Sequence, residues 1–318
     1  MVPVSIKPIS QSAAAAPTMR AVRLHQPGGL EALRVEEIGT PRPGPGEALV
    51  RVHAAAITRD ELGWPVDRLP AIPSYELSGV VVEVASPDDA GIANGEAVYA
   101  LTGFDRDGAA AEYAVVPSRL LAPKARTLGH VESAALPLAG LSAWQGLFVH
   151  GALRAGDRVL IHGAAGGVGH LATQLARWRG AHVIGTTSGA VAETGLGAHE
   201  MVDRTTTRFE DAVEPVDLVF DTAGGDALAR SATVLRAGGR LVSVAEEPPP
   251  EVAERVAATY FVVEPDRDQL IELAQLVDEG AVRPAIDSVF ELADARAAFE
   301  RVMDSGKRGK VVLEVIHD

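Results

Sequence analysis

The segment Val159-Leu-Ile-His-Gly-Ala-Ala-Gly-Gly-Val-Gly-His170 constrains the fold more than any other stretch of the chain. An apolar run suited to a buried strand leads directly into a glycine-rich turn, and helical periodicity follows. With Ala164, Gly166 and Gly169 in the three small-residue places, the turn reads AxGxxG. Each place has a steric reason. The turn must be tight, the backbone at Gly166 and Gly167 must approach a pyrophosphate, and Gly169 must let the helix pack on the strand. N–H groups at the helix start, with the positive end of its dipole, then face the phosphates. A glycine turn alone often only joins a strand to a helix, but further strands follow this one. Ala165, Gly166, Gly167, Val168 and Gly169 are therefore the expected phosphate-binding backbone of a dinucleotide site.

Around this turn, from residue 137 onward, strand and helix patterns alternate. Strands are expected at 158–162, 182–187, 200–203, 217–221, 240–245 and 260–263, and helices at 167–179, 227–235 and 251–258. Gly238 and Gly239 are expected to close the second helix. The reading is a six-stranded, doubly wound α/β sheet. The preceding half carries short β-type runs at 20–25, 48–56, 79–84, 97–100 and 112–116, separated by proline and glycine. Helices at 268–279 and 294–303 and a strand at 310–316 close the chain. Residues 1–18, with four consecutive alanines between prolines, read as a flexible extension.

A length of 318 residues suits two domains, and a net charge of -14 disfavours nucleic acid as a partner. No apolar run approaches a membrane span and no secretory signal is visible, so a soluble cytoplasmic protein is expected. The chain has no cysteine, which excludes disulfides, thiol nucleophiles and thiolate zinc sites. Its nine histidines show no helical metal spacing, and no metal site is expected.

The choice of dinucleotide rests on the end of the second strand, where an acidic residue would hold a ribose diol. Here the sequence is Gly185-Thr-Thr-Ser-Gly-Ala190. Thr187 and Ser188 offer hydroxyl donors, and no carboxylate stands there to repel a 2'-phosphate. Arg204 after the third strand either pairs with that phosphate or is a solvated surface residue. NADPH is expected over NADH.

The Pro-rich β half, the glycine turn, Val216-Asp-Leu-Val-Phe-Asp-Thr-Ala-Gly-Gly225 and the closing Gly309-Lys-Val-Val-Leu-Glu-Val315 together resemble the medium-chain dehydrogenase/reductase superfamily. The branch it is most similar to is the zinc-independent quinone oxidoreductases, which include zeta-crystallin. The resemblance implies a GroES-like β-barrel substrate domain over 19–136 and 264–318, interrupted by a Rossmann domain over 137–263. It implies that Ser142, Thr222, Ala223, Gly224, Val244, Ala245, Phe261 and Val263 line the cofactor site, with Val262 read as core. It also implies a homodimer joined through the edge strand at 260–263. Zinc-dependent relatives hold metal with a Cys in the region that here reads Ala56-Ile-Thr-Arg-Asp-Glu61, and with a His where Tyr75 stands. Both ligands are missing. Thr58 and Asp60 occupy the place of an Asn-Pro-x-Asp motif, and Tyr75 is either a proton donor or a barrel-wall residue. The implied activity is NADPH-dependent reduction of a quinone or α,β-unsaturated carbonyl. The alternatives are an enoyl-thioester reductase and a non-catalytic NADPH-binding, crystallin-like protein.

Overall fold

The structure, a computed structural model, describes residues 17–64, 67–85, 91–189, 197–304 and 306–317. Residues 1–16 of the expected extension lie outside them. The first half is β-rich: β1 (Thr18–Leu24), β2 (Leu33–Gly39), β3 (Glu47–Ile57), β4 (Glu76–Val84), β5 (Ala97–Leu101), β6 (Tyr113–Pro117) and β7 (Ala122–Pro123). Two helices, α1 (His130–Ala134) and α2 (Pro137–Trp144), lead to β8 (Arg158–His162), α3 (Gly169–Trp178), β9 (His182–Thr187) and β10 (Glu200–Asp203). Next come α4 (Phe209–Ala212), β11 (Val216–Asp221), α5 (Gly225–Arg230), β12 (Leu235–Ser243), α6 (Pro250–Ala253) and β13 (Ala257–Tyr260). The chain closes with α7 (Arg267–Asp278), β14 (Ile286–Glu291), α8 (Ala295–Met303) and β15 (Lys310–Glu314).

Six parallel strands run in the order β10-β9-β8-β11-β12-β13, so the strand order reverses at β8. Both faces are covered, as side-chain alternation shows. Val159 and Ile161 of β8 enter a core shared with Leu171 and Leu175 of α3, whereas Leu160 joins Phe209 and Leu228 on the opposite face. This is the doubly wound α/β sheet that the sequence pattern implies. The β half forms a seven-stranded sheet in the order β14-β15-β3-β4-β5-β7, with β6 on β3. β15 returns from the end of the chain to pair antiparallel with β3, setting Val311 against Ile57.

The sixth parallel strand lies three residues before its expected place. Ala257 to Tyr260 pair with Arg240 to Ser243, so the apolar run Phe261-Val-Val263 follows the strand instead of forming it. The expected helix at 251–258 shrinks to Pro250–Ala253 because its second half is drawn into this pairing. Gly238 and Gly239 do not close a helix either. They lie within β12, where a register shift separates the Val216–Leu235 pair from Leu218–Arg240. Gly238 there adopts φ 78°, a left-handed conformation that a bulge requires.

Candidate active site

A cleft of about 1450 Å³ opens along the carboxyl ends of the parallel strands and against the β-rich sheet. In open α/β sheets ligands bind outside those strand ends, where the strand order reverses. Its walls come from both halves of the molecule: Gly166, Thr187 and Thr222 on one side, Thr58, Trp64 and Lys310 on the other.

The turn after β8 has the geometry its glycines require. Gly163 adopts φ 72°, and the Gly166 N–H donates to its carbonyl at 2.8 Å. A Cβ at Gly169 would overlap that same carbonyl, so α3 can pass this close to the strand only with glycine there. Gly169 itself is packed beneath the turn, while Ala165, Gly166, Gly167 and Val168 line the cleft. His170 fixes the turn from behind. Its Nδ1 lies 2.9 Å from the Gly166 carbonyl and its Nε2 lies 2.9 Å from the Ala285 N–H. These partners require a neutral ring, donating from Nδ1 and accepting at Nε2. Burial pulls its pKa down to about 4, against the pull of the Gly166 carbonyl.

Beyond the turn, Thr187 and Ser188 line the cleft at the end of β9, and Arg204 lies beside them. The Arg204 N–H donates to the Thr187 carbonyl at 2.9 Å, which fixes this backbone at the rim. Asp203, the neighbouring carboxylate, accepts from the Gly189 N–H, the Thr205 N–H and the Thr205 hydroxyl. These bonds hold its carboxyl below the usual range. At the end of β11 the buried Asp221 accepts from the Ala223 and Gly224 N–H groups and from Ser243 Oγ. It thereby shapes the loop that brings Thr222, Ala223 and Gly224 to the cleft. Val244, Ala245, Phe261 and Val263 also line it. Val262 departs from its core reading: it is 60% exposed and faces the cleft between two buried neighbours.

Ser142 on α2 is 1% exposed, and its hydroxyl has no hydrogen-bond partner among the described residues although it lines the cleft. A buried unpaired hydroxyl costs about 1–3 kcal/mol, so a bound polar group there would relieve a real penalty.

Thr58 and Asp60 both line the cleft, but Tyr75 does not. The Tyr75 ring is fully buried behind Trp64 and Phe104, and Arg68 donates to its hydroxyl at 3.1 Å. That placement matches a barrel-wall residue. Asp60 is exposed, and the acid that turns inward is its neighbour Glu61, which sequence reasoning passed over. Burial raises the Glu61 carboxyl to about 8. Lys310 was likewise passed over. Its ammonium is buried against Glu76 at 2.5 Å and donates to Thr58 Oγ1 at 3.1 Å. The Leu138 N–H adds a second donor to Glu76. No local sequence pattern marks Lys310 as the partner of Glu76, because β15 reaches that acid only through the fold.

Two family models match the chain: an alcohol dehydrogenase GroES-like domain over residues 44–126 and a zinc-binding dehydrogenase over residues 196–313. A probable zinc-binding oxidoreductase, mitochondrial, of Arthroderma benhamiae is 31% identical, with 94% of this chain and 97% of that protein covered. The chain belongs to the medium-chain dehydrogenase/reductase superfamily. Within it, a 2-methylene-furan-3-one reductase of Solanum lycopersicum is 31% identical over 99% of this chain and 86% of its own length. The quinone oxidoreductase of Coxiella burnetii superposes with a TM-score of 0.88 at 31% identity, covering 94% of this chain and all of that one. This superfamily member is thus an oxidoreductase with quinone oxidoreductase homologues, in a family that depends on nicotinamide dinucleotides. Among its described residues no helix is long and apolar enough to cross a membrane.

Proposed function

We propose that the protein is an NADPH-dependent, zinc-independent reductase of quinones or α,β-unsaturated carbonyls. The observation that carries this reading is the Lys310–Glu76 ion pair at the cleft floor. A catalytic zinc takes thiolate, imidazole or carboxylate ligands. This chain has no cysteine, sets Thr58 and Tyr75 in the regions of the lost ligands, and places an ammonium against Glu76, the acid next to Tyr75. That donor set does not fit a zinc ion. Without a Lewis acid a simple alcohol or ketone is a poor substrate, whereas a conjugated acceptor spreads its charge onto an oxygen that hydrogen-bond donors can hold.

The residues present do fit a dinucleotide. The turn from Gly163 to Val168 would receive the pyrophosphate, the unpaired Ser142 hydroxyl would satisfy itself on the cofactor, and Thr187, Ser188 and Arg204 would take the 2'-phosphate. Asp203 is already engaged by Gly189 and Thr205, which favours a phosphate over a ribose diol at this rim. When bound, the nicotinamide supplies the hydride. The protein orients the acceptor and excludes water, with Trp64 and Phe104 forming an aromatic wall.

NADPH oxidation against a panel of quinones, 2-alkenals and enoyl-CoA esters tests the reading. Turnover of quinones or alkenals supports it, preference for the thioesters makes the protein an enoyl-thioester reductase, and binding without turnover leaves an NADPH-binding protein. Arg204→Ala should lower kcat/KM for NADPH by about tenfold and leave NADH unaffected, as loss of one charged hydrogen bond implies. Equal losses for both cofactors would remove Arg204 from the phosphate pocket. The free edge of β13, with Tyr260 43% exposed, suits a homodimer, which sedimentation would reveal.

A further inference from the structure

We propose that Thr58 is the oxyanion-binding and proton-delivering group of this cleft, with Lys310 as the charge and proton source behind it. The inference rests on the conjugated-carbonyl reading above. Lys310 Nζ donates to Thr58 Oγ1, which occupies that oxygen as an acceptor and turns the hydroxyl hydrogen elsewhere. Thr58 lines the cleft, and its hydrogen has no acceptor among the described residues. A donor polarised by an adjacent ammonium and aimed into a substrate cleft is suited to an oxygen that gains negative charge.

Three local features hold the ammonium in place. Gly309 adopts φ 81°, and a Cβ there would overlap the Ala285 carbonyl, so glycine allows β15 to start this close to β14. The Gly309 N–H donates to the Ala165 carbonyl at 3.0 Å, tying Lys310 to the phosphate turn. Glu76 then fixes Nζ from the opposite side.

In the step, hydride adds to the β-carbon of the acceptor. The alkene π pair becomes the new Cα=C bond, and the carbonyl π pair moves to oxygen. The Thr58 proton passes to that oxygen while a Lys310 proton replaces it on Oγ1. The neutral amine recovers its proton from water in the open cleft between turnovers. The acceptor thus gains one hydride and one proton, and NADPH becomes NADP+.

Glu61 controls this arrangement by charge. It shares the buried space with Lys310 on β15 and Glu76 on β4, and its charge reaches Tyr75, which Arg68 holds. The Lys310 ammonium also disfavours charge on His170, which stays neutral, and on Lys307. While Glu61 is neutral, Lys310 and Glu76 balance. Ionisation of Glu61, centred at about 8, adds a second negative charge that opposes an oxyanion at Thr58.

Binding of 4-nitrophenolate to the full-length protein with NADP+ tests this without turnover, since its absorbance reports its own ionisation. The wild type should bind the anion in preference to the phenol. Thr58→Val should weaken anion binding about tenfold, the loss expected for one charged hydrogen bond, with NADPH affinity unchanged. Thr58→Ser should restore it. Glu61→Gln should abolish the loss of anion affinity that the wild type shows as pH rises through 8. Anion binding and enone turnover unchanged in Thr58→Val would overturn the proposal. A wild type that binds the anion but reduces no quinone or enone would instead sink the reading of function.

Discussion

Acidification should loosen the molecule through His170, and the effect can be isolated. The ring is buried with its Nδ1 on the Gly166 carbonyl and its Nε2 on the Ala285 N–H, and its pKa falls from 6.5 to about 4. A histidine whose folded pKa is depressed takes up its proton more readily when unfolded. Its contribution to stability is therefore fully present above 6.5 and shrinks as pH falls towards 4. Each pH unit in that window removes about 1.4 kcal/mol, so between pH 6.5 and 5 the loss is about 2 kcal/mol. That is a sizeable part of the roughly 5–15 kcal/mol that holds a typical protein folded. His162, buried and also lowered to about 4, acts in the same direction, whereas Glu61, raised to about 8, opposes it. Comparing the wild type with His170→Gln cancels both. A glutamine amide can offer one donor and one acceptor to the same two partners but cannot titrate. Urea unfolding at pH 7 and pH 5 should show the wild type losing about 2 kcal/mol more than the variant. Equal losses in the two proteins would refute the assignment of a neutral, clamping imidazole.

Two further substitutions probe packing. Gly146 lies where a Cβ would overlap the Phe220 ring, so Gly146→Ala should cost about 1–3 kcal/mol by overpacking. A lowered Tm would show it, and a raised Tm would mean that helix propensity outweighs the clash. Tyr75→Phe should remove only the hydrogen bond from Arg68, worth about 1 kcal/mol, and leave turnover within about twofold. A large drop in kcat with unchanged Tm would return Tyr75 to the chemistry.

What sequence could reveal followed from how local its cause was. The strand, turn and helix from Val159 to Trp178 were legible because glycine geometry and apolar spacing act over a few residues. Thr187 and Ser188 were placed at the cleft by the strand pattern, whereas Ser142, Thr222 and Val244, which also line it, came only from the family resemblance. β13 was misplaced because Phe261-Val-Val263 has strand composition, while pairing with β12 decides the register. β2 and β14 were not anticipated, since both are largely solvent-facing and lack a strong apolar alternation. The Lys310–Thr58 bond joins positions 252 residues apart, a distance over which no periodicity carries information. Glu61 was hidden differently. Asp60 and Glu61 are adjacent acids, and counting the four places of the Asn-Pro-x-Asp motif from Thr58 ends on Glu61, the acid that the short 3-10 turn holds inward.

The place of β15 between β14 and β3 bears on how the protein matures on the ribosome. The six parallel strands are complete by residue 260, while the Ala54–Ile57 end of β3, beyond the stretch that β6 covers, still waits for a partner that is translated about fifty residues later. The parallel-sheet half can therefore condense first, leaving the other half incomplete until its last strand emerges. A polypeptide stalled before residue 310 would present β3's unfilled edge to neighbouring nascent chains.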